Sequence, residues 1–270
     1  MECREFGDYN HYIFDLYGTL IDIHTDETAD ELWRWLADWY AVYGADWSPK
    51  RLYRQYRRFC AEEETLLKRE TGVAVPEIKL EKVFLRLYRE AERRHSAGFA
   101  PKGAAEEAAW ADLTANAFRV RSRAYLRLFP GTLELLDGLR CRGKRVYLLS
   151  NAQAVFTRPE IEQCGLAEAF DDLWLSSDHG MKKPEPAFLL ALLAAHGMDP
   201  GDAVMIGNDW HDDMGVAAAN RVAGVVVNSC RLAAKERRAR RKALADRFSE
   251  ADADRIMEVR NIRELVNLLP

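Results

Sequence analysis

The chain has 270 residues, 48% hydrophobic and 30% charged, with a formal net charge of -4: long enough for a full core plus an insertion, and not the balance of a protein that works on nucleic acid. Its five cysteines (Cys3, Cys60, Cys141, Cys164, Cys230) are odd in number and lack close pairing, which argues against a disulfide framework or zinc site and makes a reducing cytoplasm the default. The opening stretch MECREFGDYN has no apolar run of signal length, and no run elsewhere approaches the roughly 18 apolar residues of a membrane span, so a soluble protein without a membrane partner is expected.

The first element is HYIFD (11–15), a short apolar strand pattern that ends on an acid and runs into a Gly-Thr turn. From about residue 24 to 126 the texture changes. TADELWRWLADWYAVYG, SPKRLYRQYRRFCAEEETLLKRE, EIKLEKVFLRLYREAERR and AEEAAWADLTANAFRVRSRAYLRL place apolar residues at helical spacing, with Ser48 and Pro49 as cap and first turn of the second. This predicts a helical domain (24–126) inserted into a core made of 1–23 and 127–270. Three of the seven tryptophans, Trp33, Trp35 and Trp39, fall in the first helix. They are expected to pack the small domain's core, with an aromatic substrate wall as the alternative.

Beyond the insertion, GTLELLDGLRCRG reads as a helix leading into the strand RVYLLS (145–150). DLWLSS (172–177), AVMIG (203–207) and AGVVVN (223–228) are further strand patterns, and PAFLLALLAAHG is a helix between the first two of them. Strand–helix alternation of this kind predicts an α/β fold: a doubly wound parallel sheet with helices on both faces. The basic run RLAAKERRARRKALADR (231–247) reads as a solvated helix; because it follows a strand, a second reading puts one end near the sheet's carboxyl edge to help draw in an anionic substrate, and nucleic-acid binding is a third.

Ligands of open parallel sheets bind outside the carboxyl ends of the strands. Four polar clusters are expected at such ends. They are Asp15, Tyr17, Gly18 and Thr19 after the first strand, and Ser150 and Asn151 after the second. Lys182 and Lys183 precede Pro184 past the third, and Asn208, Asp209, Asp212 and Asp213 follow the fourth. Together they suggest displacement by a carboxylate, a weak nucleophile that needs a cation to bind and polarise the electrophile and hydroxyl or amide donors to hold its oxygens.

The order DLYGTL, LLSNAQ, KKPEPAF, IGNDWHDD resembles the haloacid dehalogenase (HAD) superfamily, over about 8–23 and 128–270. LFPGTLELLDGLRCRGKRVYLLSN and GMKKPEPAFLLALL are similar to the subgroup with a helical cap inserted after the first motif. The resemblance implies a Rossmann-like core and a covalent aspartyl intermediate on Asp15. It implies that Thr19, Ser150 and Asn151 hold the transferred group, with Tyr17 and Gly18 beside the substrate, and that Lys183 neutralises nucleophile and substrate. It further implies a magnesium ion held by Asp15, the backbone carbonyl of Tyr17, Asn208 and Asp213.

Two residues depart from the phosphatase pattern. Tyr17 stands where family phosphatases carry an aspartate that protonates the leaving alcohol, and a phenol is a poor acid for that task near neutral pH. Asn208 stands where they carry a metal-binding aspartate; its amide oxygen can still meet magnesium but brings no charge. Tyrosine at the first position is the pattern of 2-haloacid dehalogenases, which expel halide and need neither proton nor metal. Those enzymes, however, use a cap arginine that no local motif among Arg51, Arg54, Arg57 and Arg58 matches, and Leu189 stands where they carry an aromatic residue. The expected activity is hydrolysis of a small phosphorylated metabolite with weakly bound magnesium. The alternatives are dehalogenase-type carbon hydrolysis without metal and a HAD-fold binding protein without efficient turnover. The expected partner is a small anionic molecule; oligomeric state is not readable.

Overall fold

The computed structural model of the chain describes residues 4–93 and 100–269. Six parallel strands form the central sheet in the order Ile256–Val259, Ala223–Val227, Ala203–Gly207, His11–Phe14, Arg145–Ser150 and Asp172–Leu175. The first strand in sequence is therefore central, hydrogen-bonded to Arg145–Ser150 on one side and Ala203–Gly207 on the other. Strand alternation sends successive residues to opposite faces. Phe14, Leu148 and Ile206 join one apolar layer with Leu135, Leu139 and Leu265. Ile13, Leu149 and Met205 join the other with Phe188, Leu192 and Met214. Helices Thr132–Cys141 and Ile262–Val266 cover the first face, and Pro186–Ala195 and Asp213–Ala219 the second.

Four longer helices lie between the first two core strands: Asp30–Val42, Pro49–Thr71, Leu80–Glu90 and Ala104–Ser122. They share a separate apolar cluster that includes Trp33, Leu36, Phe59, Phe84, Trp110 and Phe118. Trp33 is 3% exposed, and Trp35 and Trp39 pack against the same cluster. The architecture is thus an α/β core with an inserted α-helical cap.

Three expectations need correction. AEEAAWADLTANAFRVRSRAYLRL is not helical to its end: the helix stops at Ser122, and Arg123–Leu128 is a strand paired antiparallel with Ile21–Thr25. In that ribbon Leu126 and Leu128 turn toward the core cluster, whereas Arg127 turns out to pair with Asp22 at 2.6 Å. The alternation gains a hydrogen-bonded partner that helical continuation would not have. The expected division at 24 and 126 falls inside this ribbon. Ile256–Val259 is a sixth strand where none was expected. DLWLSS is a strand only to Leu175; Ser176–His179 begins a short helix. The basic segment does form a helix, Ala234–Arg247. Cys3 and the last residue of EIKLEKVFLRLYREAERR lie outside the described residues. No described helix is long and apolar enough to cross a membrane.

Candidate active site

The strand His11–Phe14 carries Asp15 just past its end, where the Asp15 amide still donates to Ile206 O at 2.8 Å. The backbone of this carboxylate is therefore fixed by the sheet. The turn that follows needs glycine twice over. Gly18 has φ +83°, and a Cβ there would lie 2.7 Å from Asn208 Nδ2. That close approach brings Thr19 and Asn208 beside Asp15: Thr19 Oγ1 donates to Asp15 Oδ2 at 3.2 Å and lies 3.3 Å from Asn208 Oδ1. Ser150, at the end of its strand, donates to Asp15 Oδ1 at 3.2 Å.

Lys183 is 2% exposed, and its ammonium is enclosed by three acceptors. Nζ donates to Asp15 Oδ1 at 2.8 Å, Asp213 Oδ1 at 2.6 Å and Leu149 O at 2.7 Å. Burial alone would lower its pKa, but the Asp15 and Asp213 carboxylates outweigh burial and hold it above the ordinary lysine value. Burial pushes the Asp213 carboxyl up to about 7, Lys183 pulling against this and the Asp15 charge adding to it. The second Asp213 oxygen accepts from the Asp209 amide at 2.9 Å, so both its oxygens are engaged. A Cβ on Gly207 would come within 2.1 Å of that oxygen, so only glycine leaves it room.

The residues do not all converge as expected. Asn151 does not reach Asp15; it brackets the Lys183 backbone, accepting from Lys183 N at 2.7 Å and donating to Lys183 O at 2.9 Å. Lys182 turns toward Glu77. The largest departure is Tyr17. Its hydroxyl donates to Glu160 Oε2 and lies 3.1 Å from Thr157 Oγ1. Glu160 in turn accepts from Arg119 Nε at 2.9 Å and Arg123 Nη1 at 2.9 Å. Burial, reinforced by Glu160 and opposed by Arg119, pushes the Tyr17 phenol above its ordinary value. The side chain is a half-buried tie between the first loop, the helix Ala154–Gln163 and the end of the last cap helix. Of the cap arginines considered from sequence, Arg51 stacks over Trp47, Arg57 donates to Tyr53 and Arg58 pairs with Glu62.

Sequence reasoning missed the loop after the fifth strand. Ser229 Oγ donates to Gly18 O, and Asn208 Nδ2 lies 3.8 Å from Cys230 Sγ, so this loop braces both the turn and Asn208. It also missed Glu160, Arg119, Arg123 and Glu77, whose partners are remote in sequence. An open cleft of about 830 Å³ borders the Lys183 side, with Glu77, Asn151, Lys182, Asp212 and Arg247 in its wall. The basic helix therefore does bring one arginine, its last residue, to this edge.

A hard divalent cation would find two oxygen donors here, Asp15 Oδ2 and Asn208 Oδ1, which lie 3.2 and 3.3 Å from the same Thr19 Oγ1. These fit magnesium's preference for oxygen, with one carboxylate charge between them. Asp213 belongs to Lys183 and the Asp209 amide rather than to this pair. A separate group, Asp209, His211 and Asp212, is explained by the loop's own bonds: Asp209 Oδ1 accepts from the amides of His211 and Asp212 at 2.7 and 2.8 Å.

A buried carboxylate fixed by an ammonium and two hydroxyls at the carboxyl edge of a parallel sheet, with a helical insertion after the first strand, defines a HAD-type hydrolase. The chain belongs to the haloacid dehalogenase-like hydrolases, whose family model matches residues 9–220. It is 34% identical over 140 residues to phosphoserine phosphatase of Thermus thermophilus, covering 52% of this chain and 51% of that one. It is 36% identical over 93 residues to phosphoglycolate phosphatase of Nitrosococcus oceani, covering 34% and 41%. The chain thus spans about half the length, or less, of these curated relatives. Among solved structures, a 2-haloacid dehalogenase from Pseudomonas syringae pv. Tomato superposes with a TM-score of 0.63 at 22% identity, over 96% of this chain and 97% of that one, a likeness of fold.

Proposed function

We propose that the protein hydrolyses a phosphate monoester of a small metabolite through an aspartyl-phosphate on Asp15. The observation that carries this is the convergence of Lys183, Ser150 and Thr19 on one carboxylate: an ammonium at 2.8 Å and two hydroxyls at 3.2 Å. Oδ1 is engaged by the ammonium and Ser150 and Oδ2 by the Thr19 hydroxyl, and the carboxylate held in this way is the nucleophile that attacks phosphorus. The hydroxyls of Thr19 and Ser150 and the Lys183 ammonium then hold the charge that builds on the phosphoryl oxygens. Water cleaves the acyl phosphate and returns Asp15. Magnesium bound by Asp15 and Asn208 would add positive charge beside those oxygens. The names of the two curated relatives reported above, a phosphoserine phosphatase and a phosphoglycolate phosphatase, support the same reading.

Tyr17 does not serve as the acid in this scheme, since its hydroxyl is spent on Glu160. The departing oxygen takes its proton from solvent, so substrates with good leaving groups react best. The segment 24–126 acts as the cap that closes over the site and selects the substrate. Carbon–halogen hydrolysis is the second reading, favoured by one observation: neither a carboxylate at position 17 nor a second metal carboxylate at 208 is present, and halide departure needs neither. A panel of alkyl phosphates, aryl phosphates and 2-haloacids, each assayed with magnesium and with chelator, tests both. Chelator-resistant turnover of a 2-haloacid with no phosphate turnover would overturn the phosphatase reading.

A further inference from the structure

The loop joining cap helices Pro49–Thr71 and Leu80–Glu90 is sewn to the core along its length. Lys182 N donates to Val75 O at 3.1 Å, Glu77 N donates to Gly180 O at 3.2 Å, and Pro76 bridges Met181 antiparallel. Glu185 Oε2 accepts from the amides of Ala74 and Val75 at 3.0 and 3.3 Å. Gln153 accepts from Leu80 N at 2.9 Å and donates to Ile78 O at 2.9 Å. At the centre lies the Glu77 carboxylate. It accepts from Gln153 Nε2 at 3.0 Å and Ser176 Oγ at 3.1 Å, with Lys182 Nζ 3.6 Å away.

Apart from Ser176, the core groups in this seam lie beside Lys183 in the chain or on the loop that brackets it. Lys182 precedes it, and Glu185 follows the Lys183–Pro184 pair. Gln153 lies on the loop of Asn151, whose amide brackets the Lys183 backbone at 2.7 and 2.9 Å. Burial pushes the Glu77 carboxyl above the ordinary range, against the pull of Lys182 and Ser176. Placing a desolvated acid here is costly unless its partners are held. The cap residue and the lysine loop therefore order one another.

We propose that Glu77 is a positioning residue borne by the cap, which couples cap docking to the placement of Lys183 on Asp15. The coupling rests on the reading of Lys183 and Asp15 as the reacting centre, but the seam itself does not. When the loop 73–80 is seated, residues 180–185 are paired along one edge and Lys183 has a single position. When the cap lifts, that edge is lost and the lysine loop loosens, so the site is completed by closure.

Two measurements on Glu77→Ala, with Glu77→Gln as a folded control that keeps the contact to Gln153, separate this from a merely structural role. The first is hydrogen exchange without substrate. The amides of Glu77, Lys182 and Lys183 are expected to exchange at least about tenfold faster, with the central strand 11–14 unchanged. Unchanged exchange at Lys183 in folded Glu77→Ala overturns the inference whatever the enzyme's substrate. The second is steady-state kinetics on a phosphate ester that the wild type turns over. The expected result is a kcat about tenfold lower with KM within about twofold, and partial recovery in Glu77→Gln. An unchanged kcat per folded molecule also overturns it. A wild type that turns over no phosphate ester refutes the phosphatase reading instead, and leaves the exchange measurement to decide the coupling.

Discussion

Asp15 and Tyr17 are separated by one residue, yet their side chains end in two different buried charge clusters. Around Asp15, one ammonium sits between two carboxylates, and one oxygen of Asp15 meets only a hydroxyl among the described residues. Around Tyr17, one carboxylate, Glu160, is surrounded by two guanidinium groups and a phenol. The first cluster keeps a carboxylate oxygen available. The second has its acceptors filled from two segments far apart in the chain. The contrast teaches that burying charge serves reaction in one place and assembly in the other, and that the difference lies in which groups are left unsaturated.

The sharpest way to break the comparison is to remove the available carboxylate. Asp15→Asn should lower turnover by more than about a thousandfold while the chain stays folded, because the swap is nearly isosteric but removes the attacking charge. A folded variant that retains activity, checked by mass for deamidation back to aspartate, would place the nucleophile elsewhere.

The assembly cluster should respond in stability. Glu160→Ala leaves the buried Arg119 and the half-buried Arg123 without their carboxylate, and breaking a buried pair costs about 3–5 kcal/mol. Urea unfolding measures it. A loss under about 1 kcal/mol would mean that the cluster contributes no more than a surface pair.

Position 17 distinguishes the clusters directly. Tyr17→Phe should cost about 1.5–3 kcal/mol of stability, the range for a hydrogen bond to a charged acceptor, and leave kcat nearly intact. Tyr17→Asp should not install a working acid, because the new carboxylate would face Glu160 rather than a leaving group. A gain of alkyl phosphatase activity in Tyr17→Asp would show that this side chain reaches the reacting centre after all.

The smallest expected effect concerns metal. Asn208→Asp adds a second carboxylate beside Asp15 and should tighten magnesium binding, read by isothermal titration. No change in affinity would exclude position 208 from the ligand set.

How far the sequence foretold these features follows from how local each signal is. The five foreseen core strands are apolar runs with turn chemistry at their ends, and the polar residues just past four of them were legible as a site on topology alone. The sixth strand, IMEV, carries Glu258 inside it and is too polar to stand out. RAYLRL alternates, but it directly follows a helical pattern, and its strand partner lies at the other end of the insertion. The same distance hid Glu160 and Glu77. Glu160 meets Tyr17 across 143 positions, and Glu77 meets Ser176 across 99, so neither pairing leaves a local trace. The direction of the Tyr17 side chain was illegible for the same reason: nothing nearby in sequence announces the carboxylate that captures it.

The ribbon through which the chain leaves and re-enters the core has one more consequence. Thr25 pairs with Arg123, and Asp26 N donates to Ser122 O at 2.8 Å, so the two crossings lie side by side. A hairpin connection of two to five residues is all that neighbouring antiparallel strands require. The insertion is thus modular in the gene-engineering sense: deleting 27–121 and closing the gap with a short turn leaves the core's own chain path unbroken.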